Sequence, residues 1–249
     1  MHIRHMAAKA LIPLLLAIHL AGPAGSQTPD NQLEDFFAAK QSAYRYYRSA
    51  WFYLRTDNID LAALELSAFV QGWEEIRSRF ATAPPGPFAD DPLWREDLAE
   101  IASLAAAGMT ALEAADADAA KASLAPIPRI MADMRARNGV VTFSDAVDGL
   151  TQAMESLWRY RHETADFDDT ATRTELNEGT ERLRAAFERV RDDAPDDIAF
   201  DDQFMRLVGD SDAAVDRLEQ AVAAQDQTAL VNAIRELRSF ERLLWLNFG

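Results

Sequence analysis

Residues 44–55 (YRYYRSAWFYLR) combine three arginines with six aromatic side chains and contain no acid. In a chain with a formal net charge of -16, this segment is a local excess of positive charge. Arginines beside aromatic rings are typical of sites that bind an anionic ligand or another protein. A weaker version recurs at 158–162 (WRYRH). The candidate binding residues are Arg45, Arg48, Trp51, Arg55, Arg159 and Arg161.

Spacing places Arg48 and Arg55 on one helix face, because they are seven residues apart. The structural alternative is that these arginines pair with acids of the next helix while the aromatic rings form core and rim. The acids within reach in that alternative are Glu65, Glu74 and Glu75.

A second set of residues has the chemistry to bind metal. Met131 and Met134 are three positions apart, and Met109 lies on the preceding predicted helix, so their thioethers could converge on Cu(I). His162, the one histidine after residue 19, could hold a non-covalent haem with a methionine as second ligand. The alternatives are that the methionines fill the core near a kink and that His162 is solvated at a helix end.

Composition excludes several classes of function. Without cysteine there is no disulfide, Cys-ligated zinc, iron–sulfur cluster or thiol nucleophile. The negative charge argues against binding to nucleic acid or an anionic membrane surface. No catalytic constellation or phosphate-binding loop is evident, so we predict that the chain is not an enzyme. An enzyme of unknown class, acting in a cleft between domains, is the alternative.

The elements that must position these residues are helices. Beyond residue 26 the chain is rich in Ala, Leu, Glu and Arg and lacks the alternation of strands. The turns at 57–58 and 116–118, and Ser144, are expected to cap the helices that follow, while Gly139 stops one. Pro126 and Pro128 must kink or divide the fourth helix. Helices are predicted over about 32–56, 60–81, 93–115, 145–164, 172–193 and 201–224. A fourth helix follows the turn at 116–118 and ends near 138, and an eighth follows the break at 225–226 and ends near 247.

The second of these helices carries apolar residues at three-to-four spacing, which predicts the face that packs into the core. That predicted face consists of Leu61, Leu64, Ala68, Gly72, Ile76 and Phe80.

The pattern of the first four helices recurs in the last four. Trp51 and Tyr53 match Trp158 and Tyr160 at a shift of 107 residues, and beyond the loops the shift becomes 110. The pairs at the second shift are Trp94 with Phe204, Asp116 with Asp226, Leu124 with Ile234, and Ile130 with Phe240. This repetition predicts an all-α fold of two tandem antiparallel four-helix bundles, 27–139 and 140–249, docked on each other through a short joint.

The first 26 residues match the layout of a cleaved secretory signal peptide. Arg4 and Lys9 precede an apolar stretch at 10–21, and residues 24–26 (AGS) form a small-residue cleavage site. The stretch is shorter than the roughly 20 residues that span a bilayer. We therefore expect a periplasmic mature chain with no membrane span, whose partner is a small anion or another periplasmic protein.

Each repeat resembles the cytochrome c-prime family of periplasmic haem bundles. The resemblance lies in the turn at 56–60, Phe80 ending the second helix, the Pro-rich loop at 82–92, Trp94 opening the third helix, and an Asp turn within 112–124. It implies the family's fold and compartment. The family's Cys-x-x-Cys-His haem motif is missing, since 131–135 reads MADMR and 241–245 reads ERLLW. The expected protein is therefore a haem-free binding protein without cofactor, with copper or non-covalent haem as the alternative.

Overall fold

The computed structural model describes residues 29–249, and the predicted signal peptide at 1–26 lies outside the described residues. Every regular element of residues 29–249 is a helix, which confirms the predicted all-α class. The first half holds α1 Pro29–Arg55, α2 Ile59–Phe80, a 3-10 turn Gly86–Phe88, α3 Trp94–Glu113, α4 Ala117–Leu124 and α5 Ile127–Arg137. The second half holds α6 Phe143–Trp158, a 3-10 turn Arg159–Arg161, α7 Thr170–Asp192, α8 Asp196–Ala199, α9 Asp202–Ala224 and α10 Gln227–Phe248.

Capping residues, a glycine and a proline begin or end several helices at the positions predicted from the sequence. Asn58 and Asp116 accept backbone hydrogen bonds as N-caps of α2 and α4. Gly139 has a φ of +64°, the left-handed conformation that stops a helix and suits glycine. The chain breaks between α4 and α5 at Pro126, because proline lacks the N–H that would continue the ladder.

Two local predictions are wrong. Thr142, not Ser144, caps α6, because Thr142 and Asp145 exchange side-chain and backbone hydrogen bonds in a capping box. The segment after α7 was expected to be a loop, but it contains the short helix α8, which has Pro195 before its first turn.

The predicted core face of α2 is wrong at its N-terminal end. Leu61 and Leu64 are 38% and 64% exposed. The buried face agrees with the prediction at Ile76 and Phe80 and lies one or two positions later before them, because Phe69 and Trp73 take inward positions. It consists of Ala62, Leu66, Phe69, Trp73, Ile76 and Phe80.

The buried apolar side chains form two clusters. One cluster extends from Phe36 to Met134 and the other from Ala146 to Leu244. Trp245 of α10 packs against both clusters. Helices α1 and α10, the first and last of the described chain, contact each other where the two clusters meet.

Corresponding positions of the two halves share unusual backbone features. Ala115 and Gln225 are 110 residues apart, and both adopt left-handed conformations with φ of 57° and 56°. Each stands directly before an aspartate N-cap. Gly72 and Gly179 are 107 residues apart, and each lets its helix approach the preceding helix closely. A Cβ at Gly72 would lie 3.0 Å from the Ala43 Cβ, and one at Gly179 would lie 2.7 Å from the Leu157 Cδ2.

Within residues 29–249, the helices with enough length to cross a bilayer lack the uninterrupted apolar character that crossing requires.

Candidate functional site

Helices α1 and α10 face each other with the same residue types. On α1, Arg48, Trp51 and Arg55 follow a spacing of three and four. On α10, Arg238 and Arg242 are four apart and Trp245 follows three later. Because such spacings place side chains on one face of a helix, the packing of α1 on α10 brings arginine and tryptophan together from both.

A cleft lies between these helices, which we call the arginine cleft. Its charged lobe has a volume of about 260 Å³ and is lined by the cations Arg55, Arg238 and Arg242 and the acids Asp148 and Glu241. Its apolar lobe has a volume of about 230 Å³. The apolar lobe is lined by Phe52, Thr56, Leu243 and Leu246. Both lobes share Trp51, Arg55, Arg242 and Trp245.

Tyr47 contributes a buried aromatic ring to the charged lobe. Its ring centroid lies 6.3 Å from that of Trp51 and 6.5 Å from that of Trp245. The Tyr47 hydroxyl donates to the Leu124 carbonyl at 3.1 Å. That carbonyl would accept from residue 128 in an unbroken helix, but Pro128 has no N–H. The break at Pro128 therefore leaves the Leu124 carbonyl free to accept the hydrogen bond that holds the Tyr47 ring in the cleft.

Trp158 orders the arginines of α10. The guanidinium carbons of Arg238 and Arg242 lie 5.2 Å and 5.5 Å from the centroid of its ring, and that of Arg161 lies 4.5 Å away. A guanidinium that stacks through its face keeps its N–H donors, which lie in its own plane, free for other partners. Trp158 therefore supports the arginines without consuming their hydrogen bonds.

Several polar atoms of this region are buried without a hydrogen-bond partner. Among the described residues, the buried unpartnered side-chain atoms all belong to α1 or α10. They are Nε and Nη1 of Arg48, Nε and Nη1 of Arg238, Oε2 of Glu241 and Nε of Arg242. Since native structures pair nearly all buried polar groups, this concentration of unpartnered atoms on the facing helices α1 and α10 is unusual.

Two of these residues, Arg238 and Glu241, have ion-pair or hydrogen-bond partners through other atoms. Arg238 pairs with Glu155 at 2.6 Å, and its Nε lies 3.5 Å from Glu241 Oε2. Glu241 also accepts from the Thr151 hydroxyl at 2.7 Å through Oε1. Arg242 and the exposed Arg55, in contrast, have no carboxylate within ion-pair distance in the described structure.

Like charges stand close together around Arg242. Burial lowers the pKa of the Arg242 guanidinium, and the neighbouring Arg55 and Arg238 lower it further. An anion between these three side chains would relieve their repulsion.

Arg48 has a structural role at the edge of the cleft. Its side chain is 1% exposed and donates through Nη2 to the Asn247 carbonyl at 3.5 Å. A cation at this place complements the carbonyls and the negative dipole end of the last turn of α10. Burial lowers its pKa to about 10.

A buried polar seam continues from Arg48 along α1 toward α5 and α6. Lys40 is 6% exposed, donates to the Ser144 hydroxyl at 3.4 Å and lies over the Tyr44 ring. Burial lowers the Lys40 pKa to about 8, and the nearby Arg135 and Arg48 add to this effect. The Lys40 ammonium is therefore a destabilising charge at neutral pH.

The two acids of this seam, Asp145 and Asp148, differ in their hydrogen bonds and in the direction of their pKa shifts. Arg135 donates to both carboxylate oxygens of Asp145, the shortest contact being 2.6 Å. Burial opposes ionisation of Asp145, but the hydrogen bonds from Arg135 and from the Thr142 backbone outweigh it and lower the pKa. Asp148, 3.6 Å from Arg135, has a raised pKa because burial dominates.

The structure separates the arginines that the sequence grouped. Arg48, Trp51 and Arg55 lie along α1 where it faces α10, whereas Arg45 is exposed and stacks on Tyr46. Arg161 lies over the Trp158 ring, which also contacts Arg238 and Arg242, but it lines neither lobe of the cleft. The group does not include Arg159, which pairs with Glu175 and Tyr160 on the surface.

The structural alternative is right for the aromatic side chains, since Tyr44 and Tyr47 are in the core, but it is wrong for the ion pairs of the α1 arginines. Glu74 and Glu75 pair with Arg77 and Arg79 of their own helix. In residues 29–249, no ion pair joins Arg45, Arg48 or Arg55 to an acid of α2, because Arg48 and Arg55 turn toward α10 instead.

Arg238 and Arg242 were not predicted from the sequence, although both line the charged lobe of the cleft. The available signal was their spacing with Trp245, which repeats the arginine and tryptophan pattern of α1. Sequence reasoning considered that stretch only as the place where the haem motif is missing.

The candidate metal residues are divided between the two halves. Met131 and Met134 are buried in the first apolar cluster, and Met109 packs against it. His162 is exposed after the 3-10 turn of the second half. The described residues contain no group of three His, Asp or Glu side chains that could hold a metal ion. Copper or haem binding stays a prediction, which elemental analysis and an absorbance spectrum of purified protein test.

Comparisons with family models, with curated proteins and with solved structures give no match to this chain. The resemblance to the cytochrome c-prime family therefore stays a prediction from the sequence.

Proposed function

We propose that this chain is a non-enzymatic periplasmic protein that binds a small anion in the arginine cleft. The observation that carries the proposal is the set of unpartnered buried N–H groups on Arg238 and Arg242, both of which line the charged lobe. Each buried donor without a partner costs about 1–3 kcal/mol, and more when it is charged. A carboxylate or phosphate oxygen would satisfy such donors with charge-assisted hydrogen bonds.

We further propose that the cleft is the seam between two tandem four-helix bundles of cytochrome c-prime type that are docked on each other. Support comes from the two separate apolar clusters and from Trp245, which packs against both. The matched left-handed residues Ala115 and Gln225 support an origin by duplication. In this arrangement neither bundle alone holds the site.

Binding of simple anions tests the proposal. Isothermal titration with sodium acetate and with inorganic phosphate, at constant ionic strength, is expected to show saturable binding to the wild type. The double variant Arg55→Gln/Arg242→Gln is expected to bind at least about tenfold more weakly, since each charge-assisted hydrogen bond contributes about 1.5–3 kcal/mol. Neither arginine has a carboxylate partner in the described structure, so folding should survive, as far-UV circular dichroism will show.

A matched control is available on α7. Arg182 and Arg189 are exposed and pair with acids one turn away on their own helix. The variant Arg182→Gln/Arg189→Gln removes the same charge and is expected to bind as the wild type does. Equal weakening in both double variants would assign the effect to net charge and would contradict a cleft site.

A further inference from the structure

We infer that the anion bound in the arginine cleft is the carboxylate head group of a small amphiphile whose apolar body occupies the apolar lobe. This inference rests on the proposed function, because it names the chemical class of the ligand of that same site. The charged and apolar lobes adjoin each other and share the lining residues Trp51, Arg55, Arg242 and Trp245. One molecule can therefore place a charge in one lobe and an apolar group in the other.

Volume favours a ligand that fills both lobes. The charged lobe measures about 260 Å³ and the apolar lobe about 230 Å³. Binding pockets for small molecules usually begin at roughly 300 Å³. Either lobe alone is below that size, so a ligand larger than a simple anion would have to contact both.

The apolar lobe also exposes side chains that a ligand would cover. Phe52 and Leu243 are 45% and 39% exposed, although they lie on neighbouring helices in the same depression. The indoles of Trp51 and Trp245 stand at the junction with the charged lobe. Covering this surface with an acyl chain or ring is favourable by the hydrophobic effect.

The charge balance of the cleft favours a ligand with one negative charge. Three guanidinium groups line the charged lobe together with two carboxyl groups, those of Asp148 and Glu241. Arg238 is already paired with Glu155, so the guanidinium groups left for an anion are those of Arg55 and Arg242, and the two acids limit the negative charge that the lobe can accept. A polyanion would meet the repulsion of these acids, whereas a carboxylate matches the planar fork of an arginine.

A chain-length series tests the inference. Acetate, butyrate, hexanoate and octanoate would be titrated into the wild type by calorimetry, with 1-octanol and inorganic phosphate as comparisons. Affinity is expected to rise about fourfold for each methylene that enters the apolar lobe. We expect 1-octanol, which lacks the charge, to bind at least about tenfold more weakly than octanoate does.

Variants of the apolar lobe separate its contribution from that of the charge. Phe52→Ser/Leu243→Ser should flatten the dependence of affinity on the chain length of the carboxylate. The control Leu64→Ser changes a leucine that is 64% exposed on α2, outside the cleft, and should keep the wild-type dependence. Both changes replace exposed side chains, so folding is expected to be preserved.

The outcomes distinguish the two proposals. If acetate and phosphate bind as tightly as octanoate, the amphiphile inference is overturned while the anion site stands. If octanoate binds but Phe52→Ser/Leu243→Ser does not change its affinity, the apolar lobe is not its site and the inference is again overturned. If no anion binds, the proposed function itself fails.

Discussion

Replacing Lys40 with methionine should stabilise the protein at neutral pH. The Lys40 ammonium is buried beside Arg135 and Arg48, and its pKa falls from 10.5 to about 8. At about 1.4 kcal/mol per pKa unit, the buried charge costs about 3 kcal/mol of folding free energy. Loss of the hydrogen bond to Ser144 and of the contact with the Tyr44 ring offsets about 1 kcal/mol. We expect Lys40→Met to raise the free energy of unfolding by about 2 kcal/mol at pH 7.

The pH dependence of this gain follows from the direction of the shift. Between pH 8 and 10.5 the unfolded state binds the Lys40 proton and the folded state does not, so this group makes the wild type more stable as pH rises. Below pH 8 the ammonium is charged in both states and the cost is fully present. The advantage of Lys40→Met should therefore be constant up to about pH 8 and decline toward pH 10.5.

Urea unfolding followed by far-UV circular dichroism at pH 7, 8, 9 and 10 measures this difference. Lys121→Met is the matched control, since Lys121 is partly exposed and forms surface ion pairs with Asp57 and Asp118. Its effect should stay within about 0.5 kcal/mol of zero at each pH. A Lys40→Met variant that is less stable than the wild type at pH 7, or whose advantage does not change with pH, would refute the reasoning.

Two other predictions concern packing and the proline break, and both are measured by urea unfolding. Gly179→Ala should lose about 1–3 kcal/mol, because its Cβ would lie 2.7 Å from Leu157. The control Gly149→Ala meets nothing within 4 Å and should gain up to about 1 kcal/mol, so equal effects of the two would contradict the argument. Tyr47→Phe should lose about 1–2 kcal/mol by leaving the Leu124 carbonyl buried without its donor, and an unchanged midpoint would show that water replaces the hydroxyl.

The sequence predicts those parts of the fold that depend on neighbouring residues. Pro126 and Gly139 act on the backbone within one turn, so the break before α5 and its end near 138 could be predicted. Ala115 and Gln225 adopt left-handed conformations that could not be predicted from their residue types. The face of α2 was misjudged because the pattern weighted Leu61 and Leu64 like the aromatic residues that occupy the interior.

The candidate site was only half predictable. Arg48, Trp51 and Arg55 were recognisable from composition and spacing within one helix. Their partners on α10 are almost two hundred residues away in sequence, and only tertiary packing brings them together. No local signal in the sequence therefore indicated that the arginines of α1 would face those of α10 and not nearby acids.

The packing of α1 on α10 determines when the arginine cleft can form during synthesis and folding. The hydrogen bond between Arg48 and Asn247 spans 199 residues, so the cleft cannot form until α10 has been synthesised and has docked on α1. Most other packing joins helices that are close in sequence and can form earlier. A ligand bound in the cleft would thus stabilise the molecules in which α10 is docked on α1.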